Sequence, residues 1–547
     1  MPATLPNCTA PGGTFTNHWT DIQDSGVEFL RIGGIAYDQC LRVPNDYTTL
    51  FTGANSFPNM ITMGFTPVVQ LSYYDPSTNL PYIIPSTAAT NAKLIVDALY
   101  PLGVRYFTIG NEPDGQYNNN NFITGNPQNT PAGIFDYISV ISTLIRGTYN
   151  AGNGNPVFLV GPEVSSYTQA TITALTSGTY NVLPYIDIFS FHTYPFGDEG
   201  TTATGFKIDP TRANLINVLG NVIPVYFANS NLVTPLESQL STLNTTITNY
   251  NNANSTTIKP AITEANICYK NDVSGTNATI GTDDLITGNG SNGLLGGQFW
   301  AEMMAISMNK NMDFLNFWSV KEGGTSSTNI GYLNGSTGNK KSSYYLFQMV
   351  AKNFKGNYLA NSCTTNTSGT YKAFAYQNTT SPNEIGVVVM NQDIQSPRGT
   401  DATTKSFRIN LNGSVTGTFD MKFAFNAGLS INYDCRITNE TTMLLVFNSS
   451  GTLIRKEVYN LGDALRTIDT GPEVWGLGTG TPITTQAQFN SYYDAVYSDL
   501  VITPASTILE GSSDTKTFRF SNTATVNGDF EVPLGAEFTL LPTVTCP

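Results

Sequence analysis

The sequence predicts an α/β protein, a (β/α)8 TIM barrel followed by a β-sandwich domain and a small β-rich C-terminal extension. Three observations carry this. From about residue 15 to 350, short apolar β-branched runs alternate with longer amphipathic segments, the pattern of βα units around a parallel sheet. After SSYYLFQMVAKNF (342–354) the pattern changes to short strands separated by Gly, Asn and Ser turns, as in a sandwich. And 547 residues exceed what one hydrophobic core serves, so a barrel of ordinary size leaves roughly 200 residues for further domains.

The barrel strands are expected at VEFLRI (27–32), TPVVQL (66–71), VRYFTI (104–109), VFLVG (157–161), IDIFSF (186–191), KPAIT (259–263) and DFLNFW (313–318). An eighth should precede HWTDIQDSG, where residues 1–14 carry a poor strand signal; that strand is irregular or cut away. Helices are expected at AATNAKLIVDALYPLG, AGIFDYISVISTLIRGTYNAG and GQFWAEMMAISMNKN, each ahead of a strand. Two Gly/Asn/Thr-rich interruptions, 198–235 and 270–297, follow strand ends and read as walls of a cleft, or as decoration. YKAFAYQ, EIGVVVMNQD, FRINLNG, FDMKFAFN and TMLLVFN read as sandwich strands, and LVITPAS, KTFRFSN and DFEVPLGAEFTLLP as later ones. The expected division is a barrel over 1–350, a sandwich over 351–461 and a β-rich segment over 462–547.

Composition narrows the partners. Charged residues make up only 12% of the chain and the net charge is −14, so amides and hydroxyls must solvate the surface. No Lys/Arg-rich run exists to displace counterions from a nucleic acid, which excludes that class of partner. No apolar stretch is long enough to span a membrane. The opening MPATLPNCTAPGGTF lacks the basic and apolar parts of a signal peptide; the expected location is secreted or cell-surface, with an export signal already removed. Six cysteines without a CxxC spacing and two histidines make a zinc site hard to assemble, so neither metal nor cofactor is expected. Cys8 with Cys40, and Cys363 with Cys435, could pair in an oxidising compartment, or all six could be separate buried thiols.

The chemistry concentrates at strand ends. Cleaving a glycosidic bond with retention needs two carboxylates about 5 Å apart, one to protonate the leaving oxygen and one to attack the anomeric carbon. YFTIGNEPDGQY ends an apolar strand at Gly110 and delivers Asn111, Glu112 and Pro113 to the barrel rim; KPAITEANICY ends another at Thr263 and delivers Glu264.

Counting an N-terminal strand, these are strands 4 and 7, and here the sequence resembles glycoside hydrolase clan A, in which Asn-Glu ends strand 4 and a lone Glu ends strand 7. The resemblance implies Glu112 as general acid/base, Glu264 as nucleophile and Asn111 as donor to the hydroxyl at sugar carbon 2. Arg31 in EFLRIGG resembles the clan's arginine beneath the nucleophile. His192 and Tyr194 in FSFHTYPFG stand two apart on one strand face, where a tyrosine can hydrogen-bond the nucleophile. Trp318 resembles the clan's sugar-stacking tryptophan. An ordinary buried salt bridge for Arg31 and core packing for His192, Tyr194 and Trp318 are the alternatives. Asp38, Gln39, Tyr73, Tyr74, Tyr117 and Tyr269 could line the cleft, and Glu163 in LVGPEVSSY is a third rim carboxylate without an assigned use.

LRIGG followed by Asp38, the GNEP segment and a trailing sandwich look most like family 79 of that clan, then family 39. No basic cluster suited to a uronate is visible, so glucuronidase activity is not implied. DFEVPLGAEFTLLP is similar to tails of secreted Bacteroidetes surface proteins. The expected activity is hydrolysis of β-linked glycans by double displacement. A non-catalytic carbohydrate-binding or adhesive surface protein, and a transglycosylase using the same residues, are the rivals; product analysis with an added acceptor sugar separates the last from hydrolysis.

Overall fold

In the computed structural model, residues 18–460 are described apart from 79, 117–120, 195–235, 268–293, 322–329, 336–337, 366–370, 380–382, 392–403, 413–420 and 439–440; beyond them 496–502, 515–526 and 537–542 are described. The backbone divides into two compact units, the first running to Lys352 and the second starting at Asn353. No helix of the described residues is long and apolar enough to cross a membrane.

The first unit is a (β/α) barrel. Its strands are β1 (Phe29–Ile32), β2 (Thr66–Leu71), β3 (Tyr106–Ile109), β4 (Phe158–Val164), β5 (Ile188–Thr193), β6 (Lys259–Ala265) and β7 (Leu315–Phe317). They form one sheet in chain order, every neighbouring pair parallel. All seven expected strands are therefore present. The place for an eighth, residues 1–14, lies outside the described residues. The sheet curls until its edges approach: Asn316 Nδ2 donates to the Phe29 carbonyl at 3.0 Å, and the Phe29 and Phe314 rings stack at 4.7 Å.

Helices cover the outside, including α1 (Trp19–Asp24), α2 (Phe57–Thr62), α3 (Pro85–Leu99), α4 (Pro131–Arg146), α5 (Gln169–Thr176), α6 (Leu236–Asn254), α7 (Leu294–Asn309) and α8 (Ser342–Asn353). Their apolar stripes explain the placement. In α3, Ala88, Ala92, Ile95, Val96 and Leu99 recur at helical spacing and are buried. In α4, Ile134, Ile138, Ile141 and Ile145 do the same, behind a Thr130 cap whose hydroxyl accepts the Gly133 N–H. The expected cleft walls, 198–235 and most of 270–297, lie outside the described residues; 294–297 open α7.

Inside the barrel each strand contributes to an apolar floor of Val68, Val160, Ile188, Ala261 and Phe314, with Phe29 and Tyr106 packed on it. Two residues further along, the same faces carry Arg31, Gln70, Thr108, Ser190, Thr263 and Asn316, because side chains alternate along a strand. Apolar below and polar above, the barrel interior prepares its carboxyl-terminal end for charged groups.

The second unit contains a five-stranded sheet, β8–β10–β11–β15–β16, and a four-stranded one, β9–β13–β12–β14. The strands are β8 (Asn357–Leu359), β9 (Asn361–Thr365), β10 (Tyr371–Gln377), β11 (Ile385–Asn391), β12 (Thr404–Asn410), β13 (Met421–Phe425), β14 (Asn432–Thr438), β15 (Thr441–Phe447) and β16 (Leu453–Asn460). Val387, Val389, Phe407, Phe423, Phe425 and Leu445 are among the residues that close one core between them. A parallel three-stranded sheet follows, β17 (Val496–Ile502), β18 (Thr515–Val526) and β19 (Glu537–Pro542).

The topology corrects one expected pairing. Cys363 on β9 stands opposite Phe423, and Cys435 on β14 opposite Phe407, so the two cysteines occupy opposite edges of one sheet. Three strand spacings separate them, roughly 14 Å, about twice the reach of a disulfide. Cys40 is disulfide-bonded; Cys8 lies outside the described residues.

Candidate active site

The site is assembled at the carboxyl-terminal ends of β1, β3, β4, β5 and β6. Strand β3 ends at Ile109, and Gly110 takes a left-handed φ of 80°, which glycine adopts freely, at a place where a Cβ would also lie 2.9 Å from the Tyr73 ring. Glu112 is also left-handed, φ 47°, an uncommon state for a side-chain-bearing residue. Its N–H donates to the Glu163 carbonyl at 2.9 Å. Asp114 accepts the Ser165 N–H at 2.7 Å and its hydroxyl at 3.0 Å, tying the turn after β3 to the end of β4. Burial raises the Asp114 pKa, against the Ser165 hydrogen bonds that lower it.

Two irregularities aim the other carboxylates. Along β6, Ala261 and Thr263 face inward, so strict alternation would turn Glu264 out. The register with β5 instead shifts, with Ile262 opposite Phe191 and Glu264 opposite His192, which brings Glu264 to the inner face. On β4, Pro162 stands opposite Ser190 and Val164 opposite Phe191. Glu163 is the extra residue between them, with φ 58° and its N–H on Ser190 Oγ at 3.2 Å.

The side chains then converge. Arg31 Nη1 donates to Glu264 Oε2 at 2.8 Å, while Nη2 donates to Asn111 Oδ1 at 2.8 Å and to Glu163 Oε2 at 2.9 Å. Tyr194 donates its hydroxyl to Glu264 Oε1 at 2.5 Å. Both oxygens of Glu264 are thus held by fixed donors. His192, fully buried, places Nδ1 2.9 Å from Glu112 Oε1 and Nε2 3.4 Å from Glu163 Oε2. Glu112, His192 and Glu264 each bring one donor atom within 4.8 Å of the others.

Electrostatics follows from this packing. Burial alone would favour a neutral His192 ring, yet Glu264 nearby and the contacts with Glu112 and Glu163 push its pKa up to about 10, with Arg31 opposing. Glu163 is likewise buried, which would raise it, but Arg31 and His192 hold it down at about 2. The spacing of Glu112, His192 and Glu264 could present three ligand atoms to a cation; a ring protonated on both nitrogens has no lone pair to give one.

Asn111, Glu112, Arg31, His192, Tyr194 and Glu264 thus meet in one cluster. Arg31 can only donate, so it fixes the Asn111 carbonyl and leaves the NH2 end of that amide as the donor. Trp318 is half-buried, its backbone N–H donating to the Ala265 carbonyl at 2.9 Å and its indole against Gly34, where a Cβ would lie 2.6 Å from Cη2. Three expectations change. Asp38 does not line a cleft: it is 1% exposed and accepts the Tyr73 N–H at 2.7 Å, a structural carboxylate. Tyr73 is also core, its ring 3.7 Å from that of Tyr137. Glu163 is not on the rim but fully buried. Tyr117 and Tyr269 lie outside the described residues. Gln70, unmarked in the sequence, accepts the Gly34 N–H at 2.7 Å and sits 3.5 Å from Arg31 Nη2; a lone glutamine inside an apolar strand was its one signal.

No family model and no curated protein matches this sequence. Among solved structures, similar backbones include a Paenibacillus polymyxa xyloglucanase of glycoside hydrolase family 44, with TM-score 0.48 and 13% identity over 78% of this chain and 94% of that one. A family 30 endoxylanase from Clostridium papyrosolvens has TM-score 0.43 and 14% identity over 78% and 90%. An α-L-arabinofuranosidase from Thermotoga maritima has TM-score 0.48 and 11% identity over 79% and 90%.

Proposed function

We propose that this chain is a retaining glycoside hydrolase of clan A that cleaves β-linked glycans by double displacement, with Glu264 as nucleophile and Glu112 as general acid/base. The supporting observation is the spacing of the two carboxyl groups, which bring oxygens within 4.8 Å of each other. Retaining enzymes hold the pair about 5–5.5 Å apart, whereas inverting ones leave room for a water.

Glu264, oriented by Arg31 and Tyr194, attacks the anomeric carbon while Glu112 passes its proton to the departing glycosidic oxygen. The bond to the leaving sugar breaks and a glycosyl ester on Glu264 forms. A water then enters, Glu112 takes its proton, and hydroxide displaces Glu264 from the anomeric carbon. Neither metal nor cofactor is required. The Asn111 amide is placed to hold a sugar hydroxyl, and Trp318 offers an apolar face to the ring.

Within clan A, LRIGG with Asp38 and the GNEP segment favour family 79, then family 39, and the chain is read as secreted or attached at a cell surface. The proposed parts are a catalytic barrel over 1–350, a sandwich over 351–461 and a β-rich segment over 462–547. The test is Glu264→Ala with 4-nitrophenyl β-glycosides. Turnover should vanish while the fold persists, and azide should restore it, yielding a glycosyl azide of inverted configuration. Near-normal hydrolysis by the variant would sink the assignment.

A further inference from the structure

Glu163 has no part in the double displacement, yet three costs meet in this one residue. Its carboxylate is wholly excluded from water, its Oε1 has no hydrogen-bond partner among the described residues, and its backbone is left-handed at φ 58°. Each is unfavourable on its own. What the residue gains is contact with the catalytic pair through three routes: Arg31 Nη2 at 2.9 Å, His192 Nε2 at 3.4 Å, and the Glu112 N–H on its own carbonyl at 2.9 Å.

We propose that Glu163 is a positioning residue whose buried carboxylate holds His192 as an imidazolium, so that the ring's Nδ1–H fixes Glu112 by one oxygen and leaves the other to carry the proton. The charged and titratable groups facing the ring are Glu112 after β3, Glu163 on β4, Glu264 on β6 and Arg31 on β1. With Glu112 protonated as an acid, two carboxylates remain against Arg31 and one further cation. With Glu163 and His192 both fully buried, charge balance around them therefore calls for a protonated ring. Both ring nitrogens then donate, one to Glu163 and one to Glu112. A neutral ring would have one acceptor nitrogen, and would take the Glu112 proton in a hydrogen bond instead of orienting that group to give it up. The raised His192 and lowered Glu163 pKa values agree with this arrangement.

The kinetic consequence rests on Glu112 being the acid/base; the charge state of the ring does not. The chain has only two histidines, so protein labelled with 13C,15N-histidine gives two ring systems, and His18→Gln identifies the other. In the intact chain, His192 should show both N–H groups and imidazolium shifts at pH 8. In Glu163→Gln, which keeps the shape and removes the charge, its titration midpoint should fall by at least one pH unit. On β-linked oligosaccharides, whose poor leaving group needs the acid, kcat should drop about tenfold to a hundredfold with KM changed far less, while 4-nitrophenyl β-glycosides should be slowed much less. A neutral His192 ring at pH 7 in the intact chain overturns the proposal, as does an unmoved midpoint in Glu163→Gln. Should that variant fail to fold, Glu163→Asp, whose carboxylate is drawn back by one methylene, must lower the midpoint; an unmoved one again overturns it. The expected titration in a chain that hydrolyses no glycoside would uphold Glu163 as the holder of the ring's charge and refute the glycosidase reading instead.

Discussion

Glu112 is gripped at its backbone by Glu163 and at one carboxyl oxygen by His192, and these two contacts define what its removal should do. A general acid matters in proportion to how poor the leaving group is. Glu112→Ala should therefore slow hydrolysis of oligosaccharides by about 10²- to 10⁴-fold, the usual worth of such catalysis, and glycosides of acidic phenols far less. Equal losses on both substrate types would remove Glu112 from the acid role. At this scale the sequence was readable where a motif supplied the aim: GNEP for Asn111 and Glu112, H-x-Y for His192 and Tyr194. It was not readable for Glu163, because alternation along β4 turns that position outward and only the extra residue in the register turns it in. Asp38 failed for another reason: a polar residue after a strand looks the same whether it meets substrate or, as here, a backbone N–H.

Elements buried on both faces were the legible ones. The barrel strands are continuous apolar runs because helices cover the outside and side chains fill the inside, and each expected run became a strand within a few residues. The same holds for β10, β11 and β15 of the sandwich. Strands β14, NYDCRIT, and β16, LIRKEVYN, stand at sheet edges and carry charged residues, so their runs are broken and escaped notice. One glycine in β11 is a testable detail of this packing. Gly386 stands opposite Tyr376, whose ring lies over it so closely that a Cβ would come within 1.9 Å of Cε1. Gly386→Ala should cost the sandwich about 1–3 kcal/mol by overpacking, read as a lower midpoint in urea. With Tyr376→Ala already in place, most of that cost should disappear, since the obstructing ring is gone. A cost that is the same in both backgrounds would show that the ring is not its source.

For the molecule as a whole, the buried charges tie stability to pH in two opposite ways. Glu163 falls from its ordinary 4.5 to about 2 in the fold, so its contribution is complete above pH 4.5 and is lost as pH drops toward 2. His192 rises from 6.5 to about 10, so its contribution is complete below pH 6.5 and is lost as pH climbs toward 10. Between the two, from about pH 4.5 to 6.5, both are fully present, and the barrel should be most stable there. Three of the four tryptophans, Trp19, Trp300 and Trp318, belong to the barrel unit, so their fluorescence during urea unfolding reports chiefly on it. The midpoint measured from pH 3 to 10 should form a plateau with a falling limb on each side. His192→Gln should lower the plateau and flatten the alkaline limb, because the group that loses its proton on that side is gone. Glu163→Gln should flatten the acid limb and, by withdrawing the charge that holds the ring protonated, start the alkaline decline at lower pH. An alkaline limb of unchanged slope in His192→Gln would mean that some other group carries it, and that the cation count inside the barrel has to be redrawn.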